Sequence, residues 1–147
     1  MKDRTHEPAY ALHALVARLD RAADQILREN LGLGYGRHLT LLTLQRLGSA
    51  TQRELATELG LSEPSISRAL PTLAEEGLVT VTTAAGGGNR RQVQLTAKGE
   101  RLADEAAELL EGSFSTLLDA AGLKASDVLG LTDPLLAILR PDDGSTS

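Results

Sequence analysis

The chain has 147 residues, of which 41% are hydrophobic and 24% are charged, and its formal net charge is -5. A chain of this size and composition is typical of one globular domain that folds without a metal or a disulfide. Because it contains no cysteine, disulfides, thiolate metal sites and thiol nucleophiles are excluded. The longest apolar run, Pro134 to Leu139, is far too short to span a membrane. No apolar core follows the mixed charges of residues 1–7, so we expect no secretory signal and a cytoplasmic protein.

The charge is distributed unevenly along the chain. Residues 37–101 contain eight Lys or Arg and six Asp or Glu, a net charge of +2, whereas the remaining residues are acidic. Local charge matters more for binding than the total does. A mildly basic middle between acidic ends therefore favours a central binding module with flanking helices.

The first two predicted elements are helices. Apolar residues at spacings of three and four predict one long amphipathic helix over residues 8–31. Three glycines within residues 31–36 end it, because glycine disfavours a continuing helix and tolerates positive φ. A second helix is predicted over about residues 37–47.

Two short helices joined by a tight turn follow. Thr51 and Glu54 have the spacing of a capping box at the start of the first, and Gly60 ends it. Ser62 is the expected N-cap of the second, which continues to about Glu76. Pro64 suits the first turn of this helix. Its buried face is predicted from a spacing of four and three residues: Ile66, Leu70 and Leu73.

A β-hairpin and two further helices complete the predicted elements. Alternating residues on both sides of a glycine-rich turn, residues 84–89, predict a hairpin with a basic tip. A helix of about 26 residues is then expected from Thr96 to about Ala121. Ser126 or Thr132 is the expected N-cap of a last helix, with Pro134 in its first turn or at a kink.

The order of these elements predicts a mainly α fold with a small β-hairpin wing, a winged helix-turn-helix. The second short helix fits the major groove of DNA, and Arg68 is its best candidate for a guanine contact. Arginines of the wing suit the negative minor groove, and the free N–H groups at Thr51 suit a phosphate. The candidate DNA-binding residues are Gln52, Arg53, Ser62, Ser65, Ser67, Arg68, Thr72, Asn89, Arg90 and Arg91.

The sequence TQRELATELGLSEPSISRALPTLAEEGLV, the wing NRRQVQLTAKG with its Leu-Thr-x-x-Gly exit, and the long flanking helices resemble the MarR family of bacterial transcriptional regulators. The resemblance implies a homodimer whose terminal helices interlock through the apolar stripes of residues 9–27 and 102–118. It implies four segments: an N-terminal dimerisation helix and linker (1–36), a DNA-binding lobe (37–99), C-terminal dimerisation helices (100–140) and a disordered tail (141–147).

The resemblance also implies a function. Such regulators bind inverted-repeat operators in double-stranded DNA and repress nearby genes, and small anionic or phenolic ligands relieve the repression in many cases. The ligand site of the family lies between the dimerisation helices and the DNA-binding lobe. The residues that would line it here are His13, Tyr35, Arg37 and His38.

Three residues depart from the family pattern. Asn89 stands where the wing usually has an acidic residue, and Thr72 stands where many members have a basic one. Pro71 removes a hydrogen bond inside the recognition helix, so we expect it to kink that helix or to end its regular part. Pro71, Asn89 and the acidic total leave an alternative open, a winged-helix scaffold that binds another protein and has lost DNA affinity.

Catalysis and metal binding have little support in the sequence. No Ser/His/Asp or paired-carboxylate arrangement is recognisable from spacing, so we expect no enzyme activity and no cofactor. The three histidines, His6, His13 and His38, lack the spacing of metal ligands and are expected to be ordinary surface or interface residues.

Overall fold

The computed structural model describes residues 1–83 and 91–139. Within these ranges it is mainly helical with one small sheet, which confirms the predicted fold class. In chain order the elements are α1 (Pro8–Leu31), α2 (Tyr35–Leu47), β1 (Ser49–Thr51), α3 (Gln52–Leu59), α4 (Glu63–Glu75), β2 (Val79–Thr83), β3 (Arg91–Leu95), α5 (Ala97–Ala121) and α6 (Ala125–Ile138).

The sheet has three antiparallel strands in the order β1-β3-β2. The predicted hairpin strands pair in a single register in which Val81 lies opposite Val93. The third strand, β1, was not predicted. It has only three residues, too few for an alternating pattern, and it exists because Ala50 pairs with Val93, far along the chain.

The core lies where α2, α3, α4 and the sheet meet the C-terminal part of α1 and the N-terminal part of α5. Each of these elements contributes apolar side chains that are almost completely buried. Residues of this core include Leu27, Leu41, Leu44, Leu55, Ile66, Leu70, Leu73, Val79, Val93, Ala103 and Ala106. The predicted stripe of α4 is thus buried, which fixes the opposite face of that helix outward.

The start of α2 lies two residues earlier than predicted. Gly34 is the N-cap, and the Tyr35 N–H donates to Oδ1 of Asp24 on α1 at 2.9 Å. Arg28 Nε donates to the other oxygen of the same carboxylate at 2.9 Å. The Tyr35 N–H first and Arg28 second hold the pKa of Asp24 below its ordinary value. A carboxylate from α1 therefore satisfies the start of α2, which local sequence rules do not anticipate.

The start of α6 and the effect of Pro71 also differ from expectation. Neither Ser126 nor Thr132 caps α6, because Lys124 is the N-cap and its N–H donates to Oδ2 of Asp127 at 2.8 Å. Pro134 lies inside α6 and not in its first turn. Pro71 does not end α4, which continues to Glu75 because Leu73 is buried in the core. The hairpin tip and the tail, residues 84–90 and 140–147, lie outside the described residues.

Candidate nucleic-acid interface

The turn between α3 and α4 is set by one glycine and two buried side chains. Gly60 has φ +66°, and the N–H of Leu61 donates to the Ala56 carbonyl at 2.9 Å. Ala56 is small enough to be buried at this crossing, and Ile66 anchors α4 beneath it. The Thr51 hydroxyl accepts from the Glu54 N–H at 3.1 Å, which is one of the two hydrogen bonds of the predicted capping box and makes Thr51 the N-cap of α3. These contacts present the two helices in a fixed relation.

The N-terminus of α4 is organised by a pair of serines. The Ser62 hydroxyl accepts from the Ser65 N–H at 3.3 Å, and the two hydroxyls lie 2.9 Å apart. Arg68 Nη2 lies 3.5 Å from the Ser65 hydroxyl. Ser62 is therefore the N-cap, as predicted, and its oxygen is engaged with the helix itself.

The candidate major-groove residues share the outer surface of α4. Ser67, Arg68 and Thr72 are exposed, and Ser65 is partly exposed. None of the four belongs to the buried stripe of α4. Arg68 is the only Lys or Arg within α4, whose other charged residues are Glu63 and Glu75. Any cationic contact made by this helix therefore depends on Arg68.

The candidate phosphate-binding residues lie at the start of α3. Gln52 is partly exposed and Arg53 is exposed. Arg53 Nε lies 3.6 Å from Oε1 of Glu63, the first residue of α4. This pair is largely open to solvent and is weak, so it leaves the guanidinium available for exchange with a phosphate. The structure thus places Arg53 beside the N-terminus of α4.

The described part of the wing carries one of the three predicted wing residues. Arg91 is exposed at the start of β3, opposite Thr83 of β2. Asn89 and Arg90 lie outside the described residues. On the other edge of the sheet, the Ser49 hydroxyl donates to Oε1 of Gln92 at 2.7 Å, which fastens β1 to β3.

The wing exit explains its Leu-Thr-x-x-Gly sequence. The Thr96 hydroxyl accepts from the Gly99 N–H at 3.0 Å and donates to the Gly77 carbonyl at 2.6 Å. The Thr96 N–H donates to the Leu78 carbonyl at 3.0 Å. A Cβ on Gly99 would lie 2.1 Å from that carbonyl oxygen, so only glycine fits. The sequence showed this motif, but its packing role needed the structure.

Glu76 links three elements, which the sequence did not predict. Its carboxylate pairs with Arg37 of α2, and its carbonyl accepts from Lys98 Nζ of α5 at 2.8 Å. Glu76 is also the C-cap of α4. A pairing across 39 residues leaves no local signal, so only tertiary structure reveals it. The end of α4 is thereby joined to α2 and α5.

Two of the four candidate ligand-lining residues lie together at the start of α2. The rings of Tyr35 and His38 have centroids 6.1 Å apart. His38 is buried, its Nδ1 has no hydrogen-bond partner within the described part of the chain, and burial lowers its pKa. Burial first, and a hydrogen bond with Asp20 second, raise the pKa of Tyr35.

The other two candidate ligand-lining residues are placed differently. Arg37 is beside Tyr35 and His38 in the chain but is paired with Glu76. His13 is exposed on α1, seven residues or about 10.5 Å along the helix axis before Asp20, the residue that hydrogen-bonds with Tyr35. Among residues 1–83 and 91–139, no group of three or more His, Asp or Glu side chains is placed to hold a metal ion. Within the same ranges, no helix is both long and apolar enough to cross a membrane.

The fold and the arrangement of α3, α4 and the hairpin define a winged helix-turn-helix protein. Residues 31–91 match the model of the MarR family. The same fold is found in CouR from Rhodococcus jostii bound to p-coumaroyl-CoA, with a TM-score of 0.80 and 21% identity, covering 97% of this chain and 98% of that one. A variant of Escherichia coli MarR complexed with operator DNA gives a TM-score of 0.70 at 21% identity, covering 95% and 100%. The family model thus matches residues 31–91, and the chain shares the fold of these solved structures, both in agreement with the resemblance to the MarR family.

Curated relatives match over shorter segments. The transcriptional regulator MntR of Escherichia coli is 37% identical over 65 residues, which are 44% of this chain and 38% of that protein. The phenylalanine–tRNA ligase alpha subunit of Pyrococcus horikoshii is 39% identical over 69 residues, 47% of this chain and 13% of that subunit. The chain thus spans well under half of the length of these relatives.

Proposed function

We propose that the protein is a homodimeric transcriptional regulator that binds an inverted-repeat DNA operator and represses nearby genes until a small anionic or phenolic ligand binds. The observation that carries this proposal is the outer face of α4. The core holds the opposite face of the helix, Ser62 caps its N-terminus, and Arg68 is exposed on the surface that remains. This is the presentation that a helix needs to enter the major groove.

Sequence readout falls mainly to Arg68. A guanidinium binds O6 and N7 of guanine in a bidentate manner, and such a contact contributes about 1–3 kcal/mol of discrimination. Ser67 and Thr72 lie beside it with exposed hydroxyls that suit base edges or phosphates. Ser65 steadies the Arg68 side chain from the preceding turn. The helix therefore offers one strong contact and several weaker ones.

Backbone contacts come from both sides of α4. The N-terminal N–H groups of α3 favour an anion, and Gln52 and Arg53 flank them. On the other side, Arg91 begins the strand that leaves the wing tip. Asn89 and Arg90 belong to the same proposal as wing contacts with the minor groove. Such contacts position the protein on DNA without reading its sequence.

The exposed apolar surface of the terminal helices supports the proposed dimer. No residue of α6 is buried, although Asp127 and Asp133 are its only charged residues. Leu136 is 64% exposed and Ile138 is 80% exposed. Apolar side chains on α1 and on the end of α5 are exposed as well: Leu12, Leu15, Val16 and Leu117. Water-exposed apolar surface of this extent is typical of an interaction site. A second copy supplies both complementary faces at once, since each copy carries α1, α5 and α6.

The dimer proposal is tested by sedimentation. We expect the wild-type chain to sediment as a dimer and the double variant Leu136→Glu/Ile138→Glu to sediment as a folded monomer, because buried charges without partners oppose association. Leu42→Glu is the matched control, since Leu42 is an exposed leucine of α2 and lies outside the terminal helices. A monomeric wild type at micromolar concentration contradicts the proposal.

The ligand site is proposed at Tyr35, Arg37 and His38, with His13 supplied from the dimer interface. A phenol hydroxyl is a suitable donor for the buried Nδ1 of His38, which has no hydrogen-bond partner among residues 1–83 and 91–139. An anionic ligand that pairs with Arg37 competes with Glu76, the C-cap of α4. Ligand binding then releases a contact at the end of the recognition helix, which provides a physical route from ligand to DNA affinity.

DNA binding is tested by selecting genomic fragments with the purified protein and measuring affinity for the best duplex across a salt series. We expect one inverted repeat to be enriched and log K to fall with log[salt] by about 0.9 for each neutralised phosphate. Arg68→Ala should weaken binding by about 5- to 150-fold. Arg21→Ala is the matched control, because Arg21 lies on the face of α1 opposite its apolar stripe. Equal affinity of both variants refutes base reading by Arg68.

The alternative is a winged-helix scaffold that binds another protein. The specific observation in its favour is the single cation of α4, accompanied by Glu63 and Glu75 on the same helix. Absence of binding to any duplex at low salt, together with a stable complex with another protein from cell extract, supports this alternative and contradicts the regulator.

A further inference from the structure

The outer face of α4 contains a second stripe with the same spacing as the buried one. Pro64, Arg68 and Pro71 follow each other at intervals of four and three residues, as Ile66, Leu70 and Leu73 do. The two sets are offset by two positions, or about 200° around the helix, so they lie on opposite sides. All three residues of the outer stripe are exposed. Two apolar rings therefore flank the one cation of the helix.

Pro71 opposes the helix that contains it. It has no N–H to donate to the carbonyl of Ser67, and a proline in a helix interior is strongly destabilising. Because its ring is exposed and does not join the core, burial on folding does not offset this effect. A residue that breaks a local rule without a structural gain is expected at a functional position.

We propose that Pro71, together with Pro64, recognises thymine methyl groups next to the guanine that Arg68 contacts. The inference rests on the proposed DNA binding and adds the base composition of the half-site. In the major groove, thymine differs from the other bases by its C5-methyl group, which is read by apolar contact. A proline ring offers apolar surface without a competing donor at the backbone.

The spacing along α4 limits where the thymines lie. Pro64 and Pro71 are separated by about 10.5 Å along the helix axis, and Arg68 and Pro71 by about 4.5 Å. Base pairs are stacked about 3.4 Å apart. The stripe therefore covers about three base pairs, with a thymine within one or two base pairs of the guanine on the Pro71 side.

The test replaces single thymines of the selected operator by deoxyuridine, which removes only the C5-methyl group. We expect one position beside the critical guanine at which this replacement weakens wild-type binding by about fourfold, the effect of losing one buried methyl group. Pro71→Ala should weaken binding to the thymine operator and should no longer respond to deoxyuridine at that position. Pro8→Ala, which removes an exposed proline from the first turn of α1, should bind and respond like wild type.

The stability of the same variant separates recognition from misfolding. Pro71→Ala restores a helix hydrogen bond, so we expect a higher melting temperature alongside the lower affinity. A lower melting temperature overturns the inference, because Pro71 then serves the fold. Unchanged binding to every deoxyuridine duplex, or an equal response in wild type and Pro71→Ala, overturns it as well. Failure of wild type to bind any duplex refutes the proposed function itself and is distinguished from these results by the initial selection.

Discussion

Gly99→Ala should destabilise the protein strongly, because the new methyl group has no space at the junction of α5 and β2. Its Cβ would lie 2.1 Å from the Leu78 carbonyl oxygen and 3.2 Å from Cδ2 of Leu95. Atoms in ordinary contact are separated by about 3.5 Å, so the helix and the strand must move apart by more than 1 Å. Overpacking of this kind costs about 1–3 kcal/mol.

The same movement breaks contacts at the point where the wing meets α5. The Leu78 carbonyl accepts from the Thr96 N–H, and the Thr96 hydroxyl caps α5 through the Gly99 N–H. Loss of a hydrogen bond costs about 0.5–1.5 kcal/mol and loss of an N-cap about 0.5–2 kcal/mol. The losses and the overpacking overlap, so their total is smaller than the sum of the separate costs. We expect the free energy of unfolding to fall by about 2–5 kcal/mol.

The assay is urea unfolding at a fixed protomer concentration, since a dimer's stability depends on concentration. Gly112→Ala is the matched control in the same helix. A Cβ there meets nothing within 4 Å, so this variant should gain about 0.5–1 kcal/mol from the higher helix propensity of alanine. Wild-type stability of Gly99→Ala would refute the packing argument.

Three further predictions concern single contacts. Ser62→Ala should lower the free energy of unfolding by about 0.5–2 kcal/mol, measured by urea unfolding, because α4 loses its N-cap. The control Ser67→Ala removes an exposed serine hydroxyl from the same helix and should change the free energy of unfolding far less. Burial holds the pKa of His38 in the folded protein below its value in the unfolded chain. Below about pH 6.5 the unfolded state therefore binds more protons than the folded state does, and the free energy of unfolding should decrease. His38→Leu should reduce that decrease in unfolding measured from pH 7.5 to 5, and an unchanged slope would contradict it. Glu76→Gln should cost at most about 1 kcal/mol, because its pair with Arg37 is partly exposed and the carbonyl contact of Lys98 remains; a much larger loss in urea unfolding would show that the pair stabilises the fold strongly.

The elements predicted from sequence are those with strong local signals. α1 has the predicted limits because its apolar spacing is long and Gly32 follows it, and the predicted N-caps Thr51 and Ser62 are confirmed. Such features depend on residues within a few positions of each other, so the sequence contains the whole interaction.

The elements that sequence reasoning missed depend on distant partners. β1 exists because it pairs with β3, and α2 begins at Tyr35 because Asp24 of α1 accepts its N–H. The start of α6 was misplaced for a different reason. The prediction favoured a serine or threonine N-cap, whereas the carboxylate of Asp127, two residues after the first residue of the helix, accepts from the Lys124 N–H.

The candidate site divides in the same way. Exposure of Ser67 and Arg68 followed from the phase of the buried stripe, which the sequence contains. The pairing of Arg53 with Glu63 and of Arg37 with Glu76 did not, because each joins separate helices. These ion pairs join residues that are far apart in the sequence, so they are the part of the candidate site that only the structure supplies.

The most direct test of the central claim is a hydroxyl-radical footprint of the protein on the selected duplex. We expect two protected half-sites related by two-fold symmetry, with centres about 34–36 Å or a multiple of that apart, and we expect Arg68→Ala to need a higher protein concentration to give the same protection. A single asymmetric protected patch, or half-maximal protection by Arg68→Ala at the wild-type concentration, would contradict recognition of DNA by α4 in a symmetric dimer.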